Sequence, residues 1–248
     1  NITALASYLE SLRGFQDLEK LYPAKPHIGF MIGRGYLSAA GIAEEEGSYE
    51  NAAKLRGEAA AAFASLAEKQ VNSTPETQYQ IASAIAAQAL SLWRQGDSFG
   101  AEKLAREGMT RLTALQRKMP GDARVAIDLA AQQGIVATTL RDEGKSIEAR
   151  RLLMEGITVI EKGIVDYPDN WSARYLLASL KWQLSGLVGQ QGDGDERNRL
   201  GMEAHDELKA LLKNPIMKRP RPSEVRKSLA YLCGCLLYTS DAADELCR

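Results

Sequence analysis

The chain has 248 residues, 45% hydrophobic and 25% charged, with 31 basic against 32 acidic side chains and a formal net charge of −1. That balance sets up no global field to draw in a nucleic acid or an anionic membrane, and the longest apolar runs fall well short of the ~20 residues a bilayer span needs. Aromatic residues make up only 6%, and the frequent Ala, Leu, Glu, Gln and Arg favour helix over strand.

In chain order, apolar residues at helical spacing predict a lone helix over 2–21, four two-helix hairpins near 27–71, 76–117, 123–166 and 170–212, and a last helix from 223. The sequence opens at Asn1, without Met and already inside a helical pattern, which leaves room for a signal peptide or an upstream domain before it. Prolines punctuate the hairpins at Pro26, Pro75, Pro120 and Pro168, followed by Pro215, Pro220 and Pro222. A proline there sits in a loop or first helical turn, where its missing N–H costs nothing. Thr74 before Pro75 reads as a helix N-cap, and Asp122 and Asn170 can cap in the same way.

The chain repeats. Gly47, Gly96, Gly144 and Gly192 lie in matching polar turns, 49, 48 and 48 residues apart. Seven residues before each comes a small side chain, Ala40, Ala89, Ala137 and Ser185, where two helices can approach closely. Five residues after come Ala52, Ala101 and Ala149, with Arg197 breaking the series. Eight after are Leu55, Leu104, Leu152 and Leu200, and twelve after the small residues return as Ala59, Gly108, Gly156 and Ala204.

A small residue in the first helix, a turn Gly, an Ala in the second helix, a later small residue and a closing Pro stand in the order seen in tetratricopeptide repeats, and residues 1–234 resemble that family. The usual unit is ~34 residues and this one is longer by about 14; adding some seven residues, about two turns, to each helix keeps every side chain on its original face. The resemblance implies an all-α fold, an α-solenoid of antiparallel helical hairpins wound as a right-handed superhelix, with about four full hairpins and a partial one at each end. Long units of this kind are similar to those of bacterial multidomain chains, often downstream of a Ser/Thr protein kinase domain.

The tail is different. Residues Cys235 to Glu245 read CLLYTSDAADE, which resembles the translation of a transposase-based sequencing adapter, so 235–248 are set apart as non-native and the protein is expected to continue past Gly234. Cys233, Cys235 and Cys247 crowd this end and indicate neither a disulfide framework nor a metal site.

A single hairpin cannot bury its apolar stripe, so neighbours stack, and their first helices are expected to line a concave groove for an extended peptide or a partner helix. Chaperone-binding members of the family clamp a terminal carboxylate with Lys and Asn. The matching rows here are Leu37, Ala86, Gly134 and Trp182, then Gly41, Leu90, Thr138 and Gly186, so no carboxylate clamp is present. Arg34, Glu44, Trp93, Arg94, Arg141 and Trp182 are the groove candidates, because Arg and aromatic side chains anchor interfaces. The bland alternative is that Trp93 and Trp182 fill hairpin cores.

Other motifs have structural explanations. Gly29, Gly33 and Gly35 lack the preceding strand and following Gly-Lys-Ser or Gly-Lys-Thr of a phosphate loop, and close helix packing accounts for them. The acidic turn from Asp193 to Glu196 lacks the full ligand set of a calcium loop. His27 and His205 have no companions at metal-ligand spacing, and no Ser/His/Asp set is visible, so neither cofactor, metal nor catalysis is expected. The short basic run Lys218, Arg219 and Arg221 reads as a solvated linker, or as a dock for an acidic partner or lipid headgroup. The leading expectation is a protein-interaction scaffold with a protein or peptide partner and no nucleic acid. Two alternatives remain: a regulatory arm of a larger signalling protein such as a bacterial Ser/Thr kinase, or a structural spacer that self-assembles. The compartment is unassigned, with the cytoplasm favoured, and the oligomeric state stays open.

Overall fold

The computed structural model describes residues 2–23, 25–69, 73–166, 169–213, 225–230 and 232. The basic run 218–221, the last prolines, the cysteines and the tail 235–248 lie outside the described residues. The helices are α1 (Ile2–Leu21), α2 (Pro26–Glu45), α3 (Tyr49–Lys69), α4 (Pro75–Gln95), α5 (Ser98–Lys118), α6 (Ala123–Asp142), α7 (Ser146–Asp166), α8 (Trp171–Gln190) and α9 (Gly194–Leu212). Residues 225–230 are helical as well, and no strand occurs among the described residues. Each predicted hairpin is present with both helices: α2–α3, α4–α5, α6–α7 and α8–α9.

The four turns are built alike. Gly47, Gly96, Gly144 and Gly192 have φ of 77°, 96°, 78° and 87°, and no other described residue has positive φ. The N–H of the following residue donates back to the carbonyl five positions earlier: Ser48 to Ala43 at 2.9 Å, Asp97 to Leu92 at 2.9 Å, Lys145 to Leu140 at 2.8 Å and Asp193 to Val188 at 3.3 Å. Each glycine N–H donates to the carbonyl three before it, completing a left-handed helix stop that satisfies otherwise orphaned carbonyls. A Cβ at φ near +90° is strained by about 1–2 kcal/mol, so Gly96→Ala is expected to lose about that much stability and Gly96→Asn less, read as the shift in urea midpoint.

Helix starts are equally legible. Thr74 Oγ1 accepts from Thr77 N at 3.2 Å, Asp97 from Gly100 N at 2.9 Å, Asp122 from Arg124 N at 2.9 Å, Asn170 from Ala173 N at 3.1 Å and Asp193 from Glu196 N at 3.0 Å. The acidic turn at Asp193 is thus the cap of α9. Each bond satisfies one orphan N–H and adds about 1 kcal/mol.

Contacts divide the chain into two compact units, residues 1–135 and 136–248, with the division inside α6. In the first unit, α1 to α5 pack each on the next. Small residues make this possible. Ala40, Ala52, Ala59, Ala89 and Ala101 are fully buried, and a Cβ on Gly108 would come within 4 Å of Ala86. A Cβ on Gly33 would fall 2.6 Å from the Phe63 ring and one on Gly35 2.6 Å from Leu12, while one on Gly29 would touch Leu66 at 3.7 Å. The three glycines of the false phosphate loop are therefore crossing points between helices. Phe63 anchors a cluster with Ala59 of α3 and Ile81, Ala84 and Ile85 of α4; Tyr79, Leu112, Leu115, Val125 and Leu129 form the next.

In the second unit, α8 packs on α7 and α9, and Ala178, Ala204, Leu208, Leu211, Val225 and Leu232 form its core cluster. Ala137, Ala149, Ser185 and Gly156 are buried as their places in the repeat predict. Arg197, where the other units carry Ala, has its stem across Gly189: a Cβ on that glycine would lie 2.5 Å from Arg197 Cδ. The other units carry Glu44, Trp93 and Arg141 at the place of Gly189.

Candidate protein-interaction face

The candidate residues lie on first helices. In the first unit, Arg34 is exposed on α2, with its carbonyl bonded to the Ser38 hydroxyl. Glu44 closes α2 and Arg94 closes α4, and the two side chains meet in an ion pair. Glu44 also pairs with Arg56 of α3. Arg56 is only 11% exposed and donates as well to the Ala87 carbonyl at 3.1 Å and to the buried Ser91 hydroxyl. Two of the candidates are therefore joined in a knot of α2, α3 and α4. Trp93 beside them remains 41% exposed.

In the second unit, Arg141 pairs with its neighbour Asp142 at 2.8 Å, near the end of α6. Trp182 is half-buried against the cluster that contains Ala178 and Ala204. The tryptophans thus differ, Trp182 contributing to a core and Trp93 to a surface.

A second polar cluster on first helices is absent from the sequence reading. Arg124 at the start of α6 bonds Glu76 of α4 at 3.0 and 3.2 Å and its own Asp122 at 2.7 Å, and its guanidinium lies 4.6 Å from the centre of the Tyr79 ring. These bonds to Arg124 hold both Glu76 and Asp122 below their ordinary carboxylate values. Bonds to Asp122 and Glu76 in turn raise the pKa of Arg124. Tyr79 donates to Asp128 at 3.2 Å. Burial, reinforced by the charge of Asp128, pushes the Tyr79 phenol up.

Lys181 of α8 bridges Glu161 of α7 at 3.0 Å and Glu203 of α9 at 2.8 Å. Burial pulls its pKa down, but the two carboxylates outweigh that and leave it raised, while Lys181 holds Glu203 low. Ties between equivalent helices follow the repeat. Glu76 and Arg124 are 48 residues apart, Tyr79 and Asp128 49, Glu44 and Arg94 50, and Glu19 and Lys69 50. One period along the sequence is one neighbour across the stack.

No known family profile matches the chain, and neither does any curated protein. Among solved structures, that of BtubC (BKLC) from P. vanneervenii superposes with a TM-score of 0.61 over 98% of this chain and 89% of that one, at 14% identity. Its fold is shared over nearly the whole length, and the hairpins carry turn glycine and small residues in the order expected. The fold is a tetratricopeptide-like helical repeat. A putative kinesin light chain with nearly identical TPR-like repeats from Podosopora anserina is also similar, with a TM-score of 0.44, 18% identity, and 86% and 90% of the two chains covered. In the tetratricopeptide-like frame, α2, α4, α6 and α8 are first helices, and the four glycines close them.

Among the described residues no group of three or more His, Cys, Asp and Glu is placed to hold a metal ion. No described helix is long and apolar enough to cross a membrane. His205 is buried beside Asp206 at 3.2 Å, and His27 is exposed at the start of α2.

Proposed function

We propose that residues 1–234 act as a protein-interaction scaffold, taking an extended peptide or a partner helix on the first helices of the hairpins. What supports this reading is a repeat scaffold whose first helices keep interface-type side chains clear of the core, Arg34 on α2 and Trp93 on α4. Affinity is spread over several hairpins, as in other repeat proteins. Glu44 and Arg94 act from within their knot, presenting a fixed charge pair to the ligand beside Trp93. Arg141 and Trp182 contribute on the second unit. No residue is assigned a catalytic role.

Photo-crosslinking tests this. A benzophenone amino acid placed at Arg34 or at Trp93 of the whole chain, in an extract of cells carrying the gene, is expected to give a discrete protein adduct, and one placed at Arg111 or Arg151 on second helices is not. Adducts from the second helices alone would count against the assignment. So would none at all beside a repeat protein that captures its known ligand in parallel.

A further inference from the structure

We infer that the contact between α4 and α6 is a proton-operated clasp: neutral Asp128 holds the two first helices together, and its ionisation loosens them. The inference stands on the geometry of this contact, whether or not the first helices take a ligand.

Asp128 is half-buried on α6 and turned toward α4. Its Oδ2 accepts from the hydroxyl of buried Tyr79 at 3.2 Å, and the Ser83 hydroxyl bonds the same carboxyl. The nearby cation is Arg124, but its described hydrogen bonds go to Asp122 at 2.7 and 3.1 Å and to Glu76 at 3.0 and 3.2 Å, and its plane lies by the Tyr79 ring. From α5 the same region receives Leu112 and Leu115, and α6 adds Val125 and Leu129. An ionised Asp128 would therefore rest on two neutral hydroxyls, with two carboxylates already sharing the one arginine. Its lost hydration is poorly replaced.

Burial accordingly pushes the Asp128 carboxyl up to about 6, against the help of Ser83, Tyr79 and Arg124, where an unperturbed Asp titrates near about 3.9. A folded-state value above the unfolded one means the fold prefers the proton. The stabilisation is complete below about pH 4 and is lost as pH rises through about 6. Glu76 and Asp122, held low by Arg124, have the opposite sign, and their support is lost on the acid side. The clasp is thus tightest near about pH 4, loosens progressively toward about pH 6 and stays loose at neutral pH.

Hydrogen exchange of the whole chain, corrected for the intrinsic pH dependence of amide exchange, reads this directly. Peptides covering 75–95 and 123–135 are expected to be about tenfold better protected at pH 5 than at pH 7.5, with peptides from α9 as the reference. In Asp128→Asn, protection at pH 7.5 should rise at least to the level of the native chain at pH 5, and the pH dependence of α4 and α6 between these values should vanish. An unchanged pH dependence in that variant, or lower protection than native at both pH values, overturns the inference. If the variant misfolds, the Asp128 carboxyl carbon is followed by NMR in the native chain. A midpoint near 6 supports the clasp and one near 4 refutes it.

Discussion

Phe63→Ala is expected to destabilise the first unit by about 3–5 kcal/mol. Phe63 is fully buried and sits where three helices meet. Its ring lies 5.7 Å from that of Phe30 on α2, packs with Ala59 in α3, and closes against Ile81, Ala84 and Ile85 of α4. Gly33 is the other half of the joint, because any side chain there would enter the ring. Gly33→Ala is therefore destabilising in the native chain, even though alanine favours helix by about 0.5–1 kcal/mol. In the Phe63→Ala background the same change should become neutral or favourable, since its clash is gone. Urea unfolding of the four species measures the coupling. Additive effects, or a loss below about 1 kcal/mol for Phe63→Ala, would contradict this placement of the ring.

Arg56→Ala is expected to cost about 3 kcal/mol, at the lower edge for breaking a buried pair, because Arg94 still faces Glu44 after the loss. The mutation removes a donor from the buried Ser91 hydroxyl and from part of the Glu44 charge, and a second donor from the Ala87 carbonyl. The cost is chiefly that of buried groups left without partners. Changing Arg56 to Met and Glu44 to Gln together removes both charges while keeping bulk, and should restore more than half of the loss. The Lys69–Glu19 pair supplies the contrast. It is 2.8 Å long but 46% and 32% exposed, and Lys69→Ala should cost under about 1 kcal/mol. Equal losses at Arg56 and Lys69 in thermal unfolding would show that burial does not set the difference.

The fold was largely legible because its signals are local or periodic. Gly47, Gly96, Gly144 and Gly192 mark positions where a residue without a Cβ takes the left-handed turn at least cost, and Thr74, Asp122 and Asn170 announce helix starts through side chains that cap. Ala89 and Gly108 betrayed their burial because small residues at fixed distances from a turn have no other common cause. The anchor leucines were less uniform: Leu152 and Leu200 are buried, whereas Leu55 and Leu104 are half-buried. Arg197 looked like a break in the pattern, and became intelligible only with Gly189 across the contact from it.

The polar ties between hairpins were not legible, for a physical reason. A Glu or Arg on a helix is usually solvated, so Glu76, Arg124, Glu44 and Arg56 carried no signal singly. The signal lies in pairs separated by one period, such as opposite charges at 76 and 124, which only the stacking of units brings together. Asp128 is harder still, since its partner Tyr79 bears no charge at working pH. Of the groove candidates, Arg34 and Trp93 stand out as exposed on the first unit, while Glu44 and Arg94 are spent partly on each other.

The packing, the exposed face and the proposed partner binding all depend on helices nesting through small side chains that return every 48 or 49 residues. Thermal unfolding followed by helical ellipticity, for leucine placed singly at Ala89, Gly108, Lys103 and Arg111, tests that most directly. Leucine at fully buried Ala89 or at Gly108 against Ala86 should overpack the crossing by about 1–3 kcal/mol or more and lower the midpoint by several degrees, while leucine at exposed Lys103 or Arg111 should leave it nearly unchanged. Four indistinguishable melting curves would contradict the nested stack.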